Sequence, residues 1–272
     1  MTTLASDTAG DLLNSGSFGV ISQDRKYYTL MQPPNTSSIH LASFDLSTSA
    51  YTKKIVPLSV TVAEGSIVDG FLCGTDEDES GVYFARIDPA TGKSTVKTPI
   101  GHNFTYSSGA TAVDPETKTM WFMAAHSHGG NNFTLFAFDT DSGAIKSATH
   151  LHPTPDTQGP AGLVWHPRSA RLLAFMPPVD GGWQLVAIDP SSGDVSPTTG
   201  LEGMSLHGRE AGAEFLVEDS DGKAVLHAGF FVSMGAPCQM LALDVDCALA
   251  AKPGINCEHS NGCLPTIVQR GR

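Results

Sequence analysis

The chain has 272 residues, with 16 basic against 28 acidic side chains and a net charge of −12. This argues against a nucleic-acid partner, since phosphate backbones are gripped by lysine and arginine. With 28 glycines and 17 prolines there is little room for long helices, and no apolar run approaches the roughly 18 residues of a membrane span, so no membrane insertion is expected.

In chain order, residues 1–16 read as an N-terminal segment, and their start, Met1-Thr2-Thr3-Leu4, lacks the basic and apolar regions of a signal peptide. Ser17 to Leu58 reads as a first unit of strands, containing the apolar stretch Leu41-Ala42-Ser43-Phe44 that ends in Asp45. Thr61 to Ile100 is a compressed second unit whose first two strands are not separable in the sequence; its apolar stretch, Phe84 to Ile87, ends in Asp88 and turns at Pro89-Ala90-Thr91-Gly92-Lys93. The third unit is the clearest. Gly109 to Asp114, a turn at Pro115-Glu116-Thr117-Lys118, Thr119 to Ala125, a loop at 126–131, Phe133 to Asp139 and Ala144 to Thr149 make four strands. The fourth repeats that order with Ala161 to His166, Arg171 to Met176, Trp183 to Asp189 and Asp194 to Thr198. A fifth spans Ala213 to about Ile255 with Met240-Leu241-Ala242-Leu243-Asp244, and 256–272 reads as a cysteine-containing tail.

Five apolar stretches therefore end in Asp45, Asp88, Asp139, Asp189 and Asp244, at spacings of 43, 51, 50 and 55 residues. Pro fixes φ for the turn after two of them, and Gly takes the left-handed position. Four-stranded antiparallel units at this period predict an all-β, five-bladed β-propeller, with six blades as the variant count, in one domain over 17–255. A β-sandwich also has short strands and frequent turns, but it does not repeat one hairpin five times. Through its Asp-Pro-Ala-Thr-Gly-Lys hairpin the chain resembles the superfamily of propellers that includes repeat-type surface proteins and the lactonase-like enzymes.

If the units are blades, loops between second and third strands emerge at the same end as the connections from one unit to the next. The connections carry Glu64, then His102 and Asn103, then His150 and His152, then His207, Arg209 and Glu210; the loops add His126, His128 and Asp180. Imidazoles and carboxylates drawn from separate blades are what a divalent metal site or an acid/base pair requires. Glu64, His126 and His128 are the metal candidates. Loop histidines also serve as ordinary polar contacts, and no pair here has a diagnostic spacing such as His-Glu-x-x-His. The lactonase-like resemblance implies an acidic ligand before a Gly at the start of an innermost strand. Glu64-Gly65-Ser66 sits suitably, although Ser66 stands where that family often has Pro, and its Asn and Asp ligands have no counterpart that can be assigned here.

The acidic runs Asp76-Glu77-Asp78-Glu79 and Glu218-Asp219-Ser220-Asp221-Gly222 complete no EF-hand and read as solvated turns. Neither a Walker loop nor a Gly-x-Ser-x-Gly elbow occurs. Among aromatic residues, Phe104, Tyr106 and Trp183 lie where rings can face a ligand, whereas Trp121 and Trp165 fall within inner strands and are expected in the core. Cys238, Cys247, Cys257 and Cys263 crowd the last 35 positions and suggest disulfides, with zinc as the competing reading. Together with three Asn-x-Ser/Thr acceptors at Asn35, Asn103 and Asn132 they favour an extracellular or lumenal setting.

The sequence thus favours a non-catalytic propeller that binds a carbohydrate or protein ligand through His102, His150, His152, His207, Arg209, Glu210 and Trp183. The alternatives are a metal-assisted lactonase-type hydrolase or lyase holding a divalent ion, and a structural domain of a larger extracellular protein.

Overall fold

The computed structural model describes residues 11–12, 19–21, 25–32, 38–46, 53–105, 111–127, 132–152, 162–176, 184–198, 210–218, 224–231, 239–245, 249 and 268–269. Its strands form five antiparallel sheets, taken in chain order. The first holds β1 (Asp11–Leu12), β2 (Gly19–Ile21), β3 (Lys26–Gln32), β4 (His40–Asp45) and β5 (Lys53–Pro57). The second holds β6 (Glu64–Val68), β7 (Phe71–Asp78), β8 (Gly81–Ile87) and β9 (Ser94–Gly101). In the third, β10 (Phe104–Thr105) and β11 (Thr111–Asp114) both pair with β12 (Thr119–His126), followed by β13 (Phe133–Asp139) and β14 (Ile145–His150). The fourth is β15 (Gly162–His166), β16 (Arg171–Met176), β17 (Gln184–Ile188) and β18 (Val195–Pro197); the fifth is β19 (Glu210–Glu218), β20 (Ala224–Phe231), β21 (Gln239–Asp244) and β22 (Val268–Gln269).

Three details add to the sequence reading. The segment 1–16 contributes β1, which pairs with β3 through Asp11 and Gln32. The tail 256–272 contributes β22, which completes the fifth sheet by pairing Val268 with Met240. In the second unit the two strands that sequence could not separate meet at Asp69-Gly70, where both residues have positive φ, 47° and 78°. That pair of left-handed residues closes the tight hairpin whose twist matches its flanking strands.

Successive sheets meet through strands near their N-terminal ends: β2 lies against β6, β6 against β11, β11 against β15, and β15 against β19. Alternation then decides what fills the space between them. On the third sheet Met120, Phe122, Phe136 and Phe138 share one face, and Phe138 stacks on Phe84 of the second sheet with ring centres 5.0 Å apart. Trp121, on the opposite face, stacks on Trp165 of the fourth sheet at 4.5 Å, as expected for core residues. Between the first two sheets lie Tyr28, Leu30, Leu41, Leu72, Tyr83 and Ile87. Fully burying one such side chain contributes about 1.5–3 kcal/mol.

Three of the repeated aspartates, Asp88, Asp139 and Asp189, shape the hairpin that ends their strand. Asp88 accepts from the Ala90 N–H at 2.8 Å and the Thr91 hydroxyl at 2.7 Å; Asp139 accepts from the Ser142 N–H and hydroxyl; Asp189 does the same with Ser191. In each turn the Gly four residues on donates its N–H back to the aspartate carbonyl, at 2.7, 2.8 and 2.8 Å for Gly92, Gly143 and Gly193. These hairpins also fasten one sheet to the last. Ser59, leaving the first sheet, donates to the Gly92 carbonyl, and His152, leaving the third, donates to that of Gly193.

Candidate ligand-recognition site

Strand order puts the loops between second and third strands, with the connections between sheets, at one end of the molecule. On the third sheet that end carries a cluster of rings. Register aligns Phe104 with His126, Ala124 with Thr134, and Thr134 with His150, so Phe104, His126, Thr134 and His150 project from one face. The His126 Nε2 and the Thr134 hydroxyl lie 2.9 Å apart in a hydrogen bond. Phe104 packs on the His126 ring at 4.8 Å and, edge-on, against Phe136 at 4.9 Å. An apolar floor of Phe104 and Phe136 thereby supports the imidazole.

His126 is followed by His150, with ring centres 6.0 Å apart, and then by His152, 4.9 Å further, both contacts edge-to-face. His150 and His152 are exposed, His126 is half-buried, and Thr134 is buried. The backbone holds the row in place. The His126 N–H donates to the Asn132 carbonyl, Ser127 to Asn103, and Leu151 to Phe133. His152 both donates to Gly193 at 2.8 Å and accepts from Val195 at 2.6 Å. The imidazoles therefore run outward across one sheet, from its second strand to its junction with the fourth sheet. They share the end of the sheet expected from the loops, and the width of the sheet separates the end of an outer strand from the inner ones.

His102 is exposed in the turn between β9 and β10, and Glu64 starts β6 opposite Thr75. Among the described residues, no three His, Cys, Asp or Glu side chains are grouped so as to hold a metal ion; of the expected set Glu64, His126 and His128, the last lies outside those residues. His128, His207, Arg209, Asp180, Trp183 and the four tail cysteines lie outside the described residues, and Glu210 begins β19. The acidic run at 76–79 is a hairpin end, with Asp78 paired to Lys97 and bonded by Ser80; Lys97 foremost holds the Asp78 carboxyl down at about 2. Asn103 and Asn132 are exposed on either side of His126 in the loops that Ser127 and His126 bond to.

Sequence reasoning passed over Thr134 and treated Phe104 only as a ring for stacking. The signal was present in the alternation Thr134, Phe136, Phe138 opposite Ala124, Phe122, Met120, which puts Thr134 directly in line with His126. At the turn end, a cavity of about 590 Å³ opens between the first and second sheets, lined by Lys26, Tyr28, Ser43, Lys54, Ile67 and Asp88 among others.

No protein-family model matches the chain, and no curated protein matches it by sequence. Among solved structures it is similar to a chain of the nidogen/laminin complex, with TM-score 0.53 and 11% identity over 88% of this chain and 78% of that one. TolB from Acinetobacter baumannii aligns with TM-score 0.56 and 14% identity over 90% of this chain, which spans 52% of that chain. A putative TolB from Agrobacterium tumefaciens gives 0.53 and 15%, over 85% and 78% of the two chains. These neighbours are β-propellers. The chain folds as a β-propeller. At such identities the likeness speaks for the fold alone, and the propeller's chemistry has to be argued from its own side chains.

Proposed function

We propose that the five sheets are the blades of one ring and that the propeller is a non-catalytic recognition module, binding a protein or carbohydrate partner at the ring-lined end of its third sheet. The observation carrying this reading is the row Phe104, His126, His150 and His152. It combines exposed imidazoles with an apolar floor, on a backbone fastened by both neighbouring strands and the next sheet. Rigid rings with hydrogen-bonding edges bind at low entropic cost. The nidogen neighbour is a propeller crystallised with laminin, which lends support to a protein partner here.

Arrays of glycans and proteins probed with the labelled chain, and each hit measured again with a Phe104→Ala/His150→Ala variant, test this. Hits on the ring row lose about tenfold or more in affinity, the equivalent of about 1.4 kcal/mol. Hits that bind wild type and variant equally contradict the proposal.

A further inference from the structure

We propose that His150 and His152 form a surface site for one borderline divalent ion, Zn²⁺ or Cu²⁺, held by two protein imidazoles. Two residues apart on an extended backbone, they face the same way, and their ring centres are 4.9 Å apart. Two imidazoles on one tetrahedral ion, at the usual Zn–N length of about 2.0–2.1 Å, have ring centres roughly 5 Å apart. The spacing thus matches two ligands on a single ion. Imidazole nitrogens select the borderline metals over Ca²⁺ or Mg²⁺, which take oxygen donors.

Two further features favour the site. Both rings are exposed, so the ion keeps much of its hydration when it binds. The backbone at His152 is bonded on both sides to the fourth sheet, to Gly193 and from Val195, and Gly193 approaches the His150 carbonyl so closely that a Cβ there would stand 2.1 Å from it. The backbone that carries both ligands is therefore held before metal arrives. His126 is a neighbour and not a ligand: its ring lies 6.0 Å from that of His150, beyond the tetrahedral value, and its Nε2 is bonded to Thr134. The remaining coordination positions hold water in the free chain and are open to a donor from a partner. The site stands on ring geometry and goes beyond the recognition reading without depending on it.

Calorimetric titration of the metal-free full chain with ZnCl₂ tests the proposal, with His150→Ala, His152→Ala, the double variant, and His126→Ala for comparison. Each change at 150 or 152 removes one equivalent of bound zinc, and His126→Ala leaves that equivalent in place. Electron paramagnetic resonance of the chain with one equivalent of Cu²⁺ shows coupling to two imidazole nitrogens. Equal zinc stoichiometry and affinity in wild type and double variant, or no zinc binding by the wild type, overturns it. Exposed as they are, the two rings can be replaced without unfolding the protein, which thermal melts of each variant verify.

Discussion

Aspartate is the residue on which the hairpins at Asp88, Asp139 and Asp189 depend, and its chemistry predicts how the molecule responds to acid. Asp88 is held below the usual carboxylate range foremost by the Thr91 hydroxyl, Asp189 by the Ser191 hydroxyl, and Asp139, down at about 2, by the Ser142 N–H. In the unfolded chain the same carboxyls titrate near about 3.9. Between those values the unfolded chain binds more protons than the folded one, so the stabilisation is complete above the unfolded pKa and is lost as pH falls through the folded one. Urea midpoints measured from about pH 6 down to about pH 2 should therefore decline below about pH 4. A variant carrying Asp88→Asn, Asp139→Asn and Asp189→Asn should show a flatter decline; an unchanged slope would contradict the role assigned to these turns. Cys73 makes the opposite kind of prediction. Burial pushes its thiol up to about 12 and its Sγ–H points at the Thr140 carbonyl, so a thiol reagent should label it only once denaturant is added.

At the scale of the element, the same turns explain why the sequence could be divided so closely. The third and fourth units fall where periodicity and Pro/Gly punctuation put them: β16 spans Arg171–Met176 and β13 spans Phe133–Asp139, the residues expected. The second unit resisted because its first hairpin, Val68-Asp69-Gly70-Phe71, has only two turn residues and is flanked by a half-buried strand, so no loop composition announces it. Asp-Gly between apolar residues was nevertheless the readable signal. What composition could not show is that the glycine of each hairpin also docks on the preceding sheet. Gly143 has φ 71°, and a Cβ there would lie 2.4 Å from Val96 Cγ1 on the second sheet. Gly143→Ala should cost about 1–3 kcal/mol, by overpacking together with backbone strain. Chemical denaturation measures it, and a neutral substitution would contradict the docking. Charge pairs across the same junction contribute less: Lys118 bridges Asp69 and Asp141 at 2.9 and 2.8 Å on the surface, so Lys118→Met should leave the urea midpoint nearly unchanged.

For the molecule as a whole, fold and site were not equally legible. A repeat declares an architecture because every copy must bury the same alternating face, and Phe84 on Phe138 and Trp121 on Trp165 are that requirement met between successive sheets. Trp165→Ala should cost about 3–5 kcal/mol in the same denaturation experiment. A binding site has no such redundancy. His102, His126, His150 and His152 were all found by listing loops, yet which of them meet depends on strand register and sheet width, and neither is written in spacing alone. Thr134, Phe104 and the hairpin at Gly193 turn three of those histidines into a row. The most direct test is a hydrogen-exchange footprint of the chain with the partner an array identifies. Protection concentrated in 101–105, 124–127, 132–136 and 149–152 is the predicted result. Protection falling instead around the cavity of Lys26, Tyr28, Lys54 and Asp88, with the ring row unaffected, would contradict the account.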